Sequence, residues 1–347
     1  MIKSLTSLRG IFILFIFFHH LDLYDGGGTM AVAFFFVLGG FVMTLGYKDK
    51  VTIDDFNYRQ YLIRRCIKFY PLHWLCILSI IPLALLSFRW DDIPKLFLNA
   101  ALLQTWVPIQ KWYFSFNFVS WYLANTMFFA VVFPFFFKWI SGASPKGRVT
   151  IAVTLAVAYV VMVLLIPEEK YHAILYISPY MRLMDFVFGI FLALVYLILK
   201  ERQSVAKLNN AVSQFAIIAL IVLLVVESCL LPENATLFAP VYWAPLAFLL
   251  LIATLSEQRW GGQKWLQNRW LQRLGELSFV IFMVHQIILR YSTAVFDKIL
   301  HIKNDVIYVV FTLTLTIIVS IVVDKYILKP ITQWLTKRIQ PSMTALS

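Results

Sequence analysis

The chain has 347 residues, of which 61% are hydrophobic and only 14% charged, with a mean hydropathy of +0.79. Soluble domains carry about 25% charged residues, so this supply cannot cover a water-exposed surface, and the length goes into membrane spans rather than several soluble domains. The net charge of +12 then reflects basic loops on one side of a bilayer and gives no reason to expect a nucleic-acid partner.

A bilayer core needs about 20 apolar residues per helix, and backbone groups in lipid must be satisfied within the segment, so helices are expected and strands are not. Ten runs meet this requirement, at residues 6–24, 29–47, 69–88, 118–140, 149–166, 181–199, 211–231, 238–255, 274–296 and 305–328. The stretch IPKLFLNAALLQTW (93–106), flanked by Asp92 and Pro108, is shorter and reads as an interfacial or re-entrant helix. The first run lacks a small-residue cleavage site and leads straight into the second, so no cleavable signal peptide is expected. Cys66, Cys76 and Cys229 show neither metal spacing nor an even framework and read as small packing residues. The expected fold is an all-α polytopic membrane protein, a bundle of about ten transmembrane helices, with a single domain over 1–340 and a short tail at 341–347.

Ten spans place both termini on one side. With the N-terminus inside, the inner segments hold 22 of the 30 lysines and arginines, Arg202 and Lys207 among them. The outer segments hold six, including Lys95, Lys111 and Lys303, while Arg182 and Arg290 lie within or at the edge of spans. This asymmetry predicts both termini in the cytoplasm.

Ionisable side chains inside a span cost a few kcal/mol each and usually face a bundle interior or a watery cavity. The candidates are Arg9, His19, His20 and Asp22 in the first span, His73 in the third, Arg182 and Asp185 in the sixth, His285 and Arg290 in the ninth, and Asp324 in the tenth. The segment RGIFILFIFFHH (9–20) has a definite geometry. Eleven helical steps from Arg9 to His20 make about 1100°, roughly 20° from a whole number of turns, whereas His19 is about 80° off. Arg9 and His20 therefore share a face, about 16.5 Å apart along the axis. An anion held at Arg9 with chemistry at His20 fits this arrangement; so do two polar groups paired with neighbours inside a bundle, and the residues alone leave both open.

Together with RGIFILFIFFHH, the segments FFFVLGGFVM (34–43), YLIRRCIKFYPLHW (61–74) and LGELSFVIFMVHQIIL (274–289), in that order, resemble the bacterial acyltransferase 3 family of integral membrane enzymes. The family's signature of Arg or Lys, ten residues, then His corresponds to Arg9 and His20. The resemblance implies transfer of an acyl group, typically acetyl, from acyl-CoA to a hydroxyl of a cell-surface or exported glycan, in the bacterial inner membrane. It implies His20 as base or proton shuttle, Arg9 as its partner toward the donor, and Arg64, Arg65 and Lys68 as contacts for the donor's phosphates. Acyl-CoA is then a co-substrate, and no bound cofactor or metal is expected, since the histidines lack ligand spacing such as HExxH. The chain departs from the family in three places. Gly39 stands where the second helix usually has serine, Lys68 replaces an arginine and loses its planar fork, and SWYLANTMFFA (120–130) keeps Ser120, Trp121 and Leu123 without the usual acids. No esterase-like domain is expected after the tenth span.

His285 lies roughly 18 Å into its span, a depth from which it could line the same cavity or serve as a packing group. Arg182 and Asp185, at i and i+3, could meet an acceptor at the outer end of their span or pair with each other. The rival readings are a transporter or flippase for a lipid-linked glycan, to which intramembrane charges are equally suited, and an inactive assembly subunit. A transporter predicts internal repeats, and none is visible.

Overall fold

The computed structural model describes residues 2–51, 56–86, 89–201, 209–301 and 304–344. Arg202, Lys207 and Lys303 of the charge count, and residues 345–347 of the expected tail, lie outside the described residues. In chain order the α-helices are α1 (Lys3–His19), α2 (Gly27–Val51), α3 (Tyr58–Leu85), α4 (Asp92–Ala100), α5 (Gln110–Tyr113), α6 (Ser120–Gly142) and α7 (Pro145–Leu165). They continue as α8 (Pro179–Glu201), α9 (Asn210–Leu230), α10 (Glu233–Thr236), α11 (Trp243–Trp260), α12 (Arg269–Val295), α13 (Asp305–Val322) and α14 (Lys329–Thr344). Among the described residues there is no strand, and nine helical stretches are long and apolar enough to cross a membrane. The first expected run forms α1, whose 17 residues fall just short of the roughly 20 of an average span. The chain is an all-α, multi-pass membrane protein.

Helix ends follow local chemistry. The side chains of Asn57, Ser144, Asn209 and Asn304 accept hydrogen bonds from the first-turn amides of Gln60, Gly147, Val212 and Ile307, satisfying donors that a helix N-terminus leaves open. Asn57 also explains a correction. The third span, expected at 69–88, belongs to a helix that starts at Tyr58, because arginine and lysine end a hydropathy run without ending a helix. Arg64, Arg65 and Lys68 thus lie within α3 and not before it. Similarly, α13 continues through a π-type stretch (Val323–Leu328) into α14, so residues 341–344 of the expected tail are helical. The stretch 93–106 forms α4 and a 3₁₀ turn at Gln104–Trp106.

Two compact units make up the chain, residues 1–56 with 128–276, and residues 57–127 with 277–347. In the first, α2 and α8 approach until backbones touch. A Cβ on Gly40 would run into the Phe186 carbonyl, and one on Gly189 into the Val37 carbonyl, the small-residue contact through which membrane helices gain packing without a hydrophobic drive. Rings fill the rest: Phe12 stacks on Phe34 at 3.7 Å between centroids, and Phe129 lies 5.1 Å from both Phe36 and Phe186. The outward face of α7 is apolar, with Val149 64% and Leu164 78% exposed, which suits lipid and not water. In the second unit, α3 packs on α14, Phe69 meets Phe279 at 5.7 Å, and Tyr122 meets Phe282 at 4.9 Å.

Candidate active site

In the first unit, α1 is pinned along its length. The Glu257 carboxylate accepts from the backbone amides of Lys3 at 2.7 Å and Ser4 at 2.6 Å, an anion at the positive end of the helix dipole. The Ser7 hydroxyl donates to the Leu266 carbonyl. One turn on, a Cβ on Gly10 would meet the Leu271 carbonyl, and one on Gly275 the Thr6 carbonyl, so the N-terminal half of α1 lies directly against the start of α12. At the other end, the Leu23 and Asp22 amides donate back to the Phe18 and His19 carbonyls, each at 3.1 Å, with Asp22 in the left-handed region at φ 57. That is a Schellman closure with aspartate where glycine is usual.

His20 sits just before this closure, half-buried. Its Nδ1 lies 2.8 Å from the Ile16 carbonyl oxygen. A carbonyl can only accept, so Nδ1 carries the proton, and in the neutral ring Nε2 carries the lone pair. His19 is placed differently. Its ring lies against Gly28, where a Cβ would collide with it, and its Nδ1 is buried with no hydrogen-bond partner among the described residues. The two rings meet edge to face at 5.1 Å. Arg9 is half-buried on α1, and His20 is the residue that caps this helix.

Arg182 and Asp185 form an ion pair at 3.2 Å with side chains 2% and 1% exposed. Trp243 Nε1 donates to Asp185 Oδ1 at 2.6 Å, and the guanidinium stands over the rings of Phe36 and Tyr176 at 5.1 and 5.4 Å. Of the two sequence readings, the self-paired one matches this geometry. Because α8 begins at Pro179, the pair occupies its first two turns.

In the second unit Arg64, Arg65 and Lys68 of α3 separate. Arg65 is buried and lies over the Tyr61 ring at 5.2 Å, while Arg64 and Lys68, one turn apart, are exposed on a shared face. His285 is buried, its Nδ1 2.7 Å from the Phe282 carbonyl and 3.2 Å from that of Ile281. A polar cluster that the sequence reading did not assemble lies in the same unit. His73 Nε2 donates to the Asn99 carbonyl at 2.8 Å, and Asn99 Nδ2 donates to the Ser115 carbonyl at 2.9 Å and to Ser120 Oγ at 3.2 Å. Gln104 Nε2 also donates to Ser120 Oγ at 3.2 Å. His73, Asn99, Gln104 and Ser120 are all fully buried. Asn99 and Gln104 lie 21 and 16 positions before Ser120, so periodicity offered no signal; only the cost of polar groups in an apolar stretch pointed to them.

Residues 2–325 match the acyltransferase 3 family, described as an acyltransferase domain. The chain belongs to this family. It is therefore an acyltransferase, and acyl transfer is the chemistry for which these groups are available. Among curated proteins, the acyltransferase MdmB of Streptomyces mycarofaciens is 26% identical over 284 residues, covering 76% of this chain and 69% of that protein. No solved structure matches the chain.

Proposed function

We propose that the chain is an O-acyltransferase of the bacterial inner membrane, moving an acetyl group from acyl-CoA to a hydroxyl of a cell-surface or exported glycan, with both termini in the cytoplasm and 1–340 acting as one catalytic domain. The observation that carries this reading is the hydrogen bond from His20 Nδ1 to the Ile16 carbonyl, at the end of the helix that bears Arg9. It fixes the tautomer a general base requires.

In the step proposed, His20 Nε2 takes the proton of the acceptor hydroxyl as its oxygen attacks the thioester carbonyl carbon. The C–S bond breaks, and the departing thiolate recovers a proton from the imidazolium, leaving an ester and free CoA. The roughly 16.5 Å between Arg9 and His20 along α1 suits an extended donor with phosphates at one end and thioester at the other. Arg64 and Lys68, exposed on one face of α3, serve the donor's phosphates as charge-assisted contacts. Arg65, stacked on Tyr61, supports the same patch from within the helix packing. His285 is assigned to the interior of its unit. Arg182 and Asp185 are assigned to holding α8 and not to the acceptor.

The test compares surface glycans from cells carrying the wild-type protein, His20→Ala or His19→Ala, by mass spectrometry before and after mild alkaline release of esters. Loss of a base-labile acyl mass with His20→Ala, and its retention with His19→Ala, is the expected result. An unchanged acyl pattern in an expressed His20→Ala protein sinks the assignment, and loss of glycan export instead would mark a flippase.

A further inference from the structure

The second unit contains an open cleft of about 510 Å³, whose lining includes Arg290, Lys95, Lys111, Asp92, Phe114 and Phe118. Its charges are unequally matched. Lys95 is held by Asp92 at 2.8 Å and Asp91 at 3.3 Å. Arg290 has no carboxylate among the described residues. Its guanidinium carbon lies 3.6 Å from the centroid of Phe118, and Nη1 donates to the Phe116 carbonyl at 3.0 Å. Neither partner cancels its charge. A half-buried guanidinium near the end of a span is costly without a counter-ion, and this one keeps most of its five N–H donors for another acceptor. Stacking on Phe118 orients the plane, leaving the edge as a fork shaped for a bidentate oxyanion.

The rest of the cleft fits a saccharide. Phe114 and Phe118, with centroids 5.8 Å apart, supply apolar ring faces. The Ser115 hydroxyl, tied to Asn99 Nδ2 at 3.2 Å, gives a polar floor. Exposed Lys111 adds a second cation without an ion-pair partner among the described residues. The charge asymmetry of the sequence assigns the Lys95 and Lys111 segments to the outer side, where a glycan arrives.

We propose that this cleft binds an oxyanion, phosphate or carboxylate, carried by the saccharide acceptor, with Arg290 as its bidentate contact and Lys111 as the second cation. The proposal rests on the reading of the acceptor as a glycan. A phospholipid headgroup offers the same phosphate chemistry, so the experiment separates the two sources.

The full chain is placed in phosphatidylcholine nanodiscs and titrated calorimetrically with inorganic phosphate, glucose 1-phosphate, glucuronate and neutral glucose. The charged ligands bind and glucose does not. Arg290→Gln weakens glucose 1-phosphate binding about tenfold or more, as expected for a lost charge-assisted pair. Arg290→Lys falls between, because it keeps the charge without the fork, and Lys111→Gln, at an exposed site, weakens binding a few-fold in a protein whose folding is not in question. Equal affinity in wild-type and Arg290→Gln proteins, or no binding of any anion, overturns the proposal. Discs containing phosphatidylglycerol test the other source: if that lipid occupies the site and glucose 1-phosphate cannot displace it, the acceptor assignment is overturned. The glycan mass spectrometry of wild-type and His20→Ala cells reads the catalytic proposal separately. A wild-type protein that binds phosphate through Arg290 yet leaves surface glycans without a base-labile acyl mass refutes the transfer chemistry and leaves the cleft intact.

Discussion

Replacing Asp185 with leucine strands the Arg182 guanidinium in a site where both side chains are almost fully enclosed. Removing one partner of a buried pair costs about 3–5 kcal/mol, because the remaining charge has lost its compensation. The Trp243 indole N–H, 2.6 Å from the carboxylate, also loses its acceptor, for a further roughly 1–3 kcal/mol. The double variant Arg182→Met, Asp185→Leu keeps the indole penalty but removes the stranded charge, so its cost falls to about 1–3 kcal/mol. Arg182→Met alone strands the carboxylate at a similar cost of about 3–5 kcal/mol, so the single-variant costs together exceed that of the double by at least about 4 kcal/mol. Sodium dodecyl sulfate titration in mixed micelles, followed by far-ultraviolet circular dichroism, measures it. Additive single-variant costs would refute the compensated pair. An acceptor-binding role for these residues predicts a different outcome, a double variant of near wild-type stability that has lost acyl transfer.

Gly189→Ala drives a methyl group into the Val37 carbonyl and destabilises by about 1–3 kcal/mol, whereas Gly46→Ala, with nothing within 4 Å of the added carbon, is stabilising by up to about 1 kcal/mol; the same unfolding titration checks both. Ser120→Ala takes an acceptor from both Asn99 and Gln104 and costs about 1–3 kcal/mol. Glu257→Ala frees two amides at the start of α1 and loosens its first turn by about 1 kcal/mol, read as faster amide exchange at Ser4 than at Phe12. The hydrogen bond from Lys95 holds the Asp92 carboxyl below its ordinary 3.8. A depressed carboxyl contributes above its unfolded value and loses that contribution as pH falls through the folded one. Exchange protection of α4, corrected for intrinsic rates, therefore stays level from pH 7 to about 4 and falls only below that, and Asp92→Asn abolishes the step.

Most of the span pattern was readable because lipid imposes one requirement, a long apolar helix, on every crossing segment. What hydropathy cannot mark is where a helix begins outside the apolar run. Asn57 caps α3 well before the apolar run begins, so Arg64, Arg65 and Lys68 lie inside the helix although they stand outside that run. The two histidines divide along the same line. Helical period alone suggests that His20 shares a face with Arg9. That His19 is occupied by Gly28 is a contact between helices, which one helix's pattern does not contain. The Asn99–Ser120–Gln104 cluster was invisible for the same reason.

Where the charges fall inside the described helices argues for which of them have work to do. Arg182 is matched by a carboxylate one turn away, at i and i+3, and that match was legible because both partners lie on one helix. Arg290 has an aromatic face and a neutral carbonyl instead, and no residue three or four positions along α12 is acidic. A fold that gives one buried arginine a carboxylate could have given another the same by a single acidic residue on the same helix face. Leaving Arg290 open to a cleft retains its donors at the expense of stability. That trade is coherent only where an anion arrives from outside the chain, so the structural pair and the open cation carry opposite expectations: neutralising Arg182 perturbs folding, and neutralising Arg290 perturbs binding.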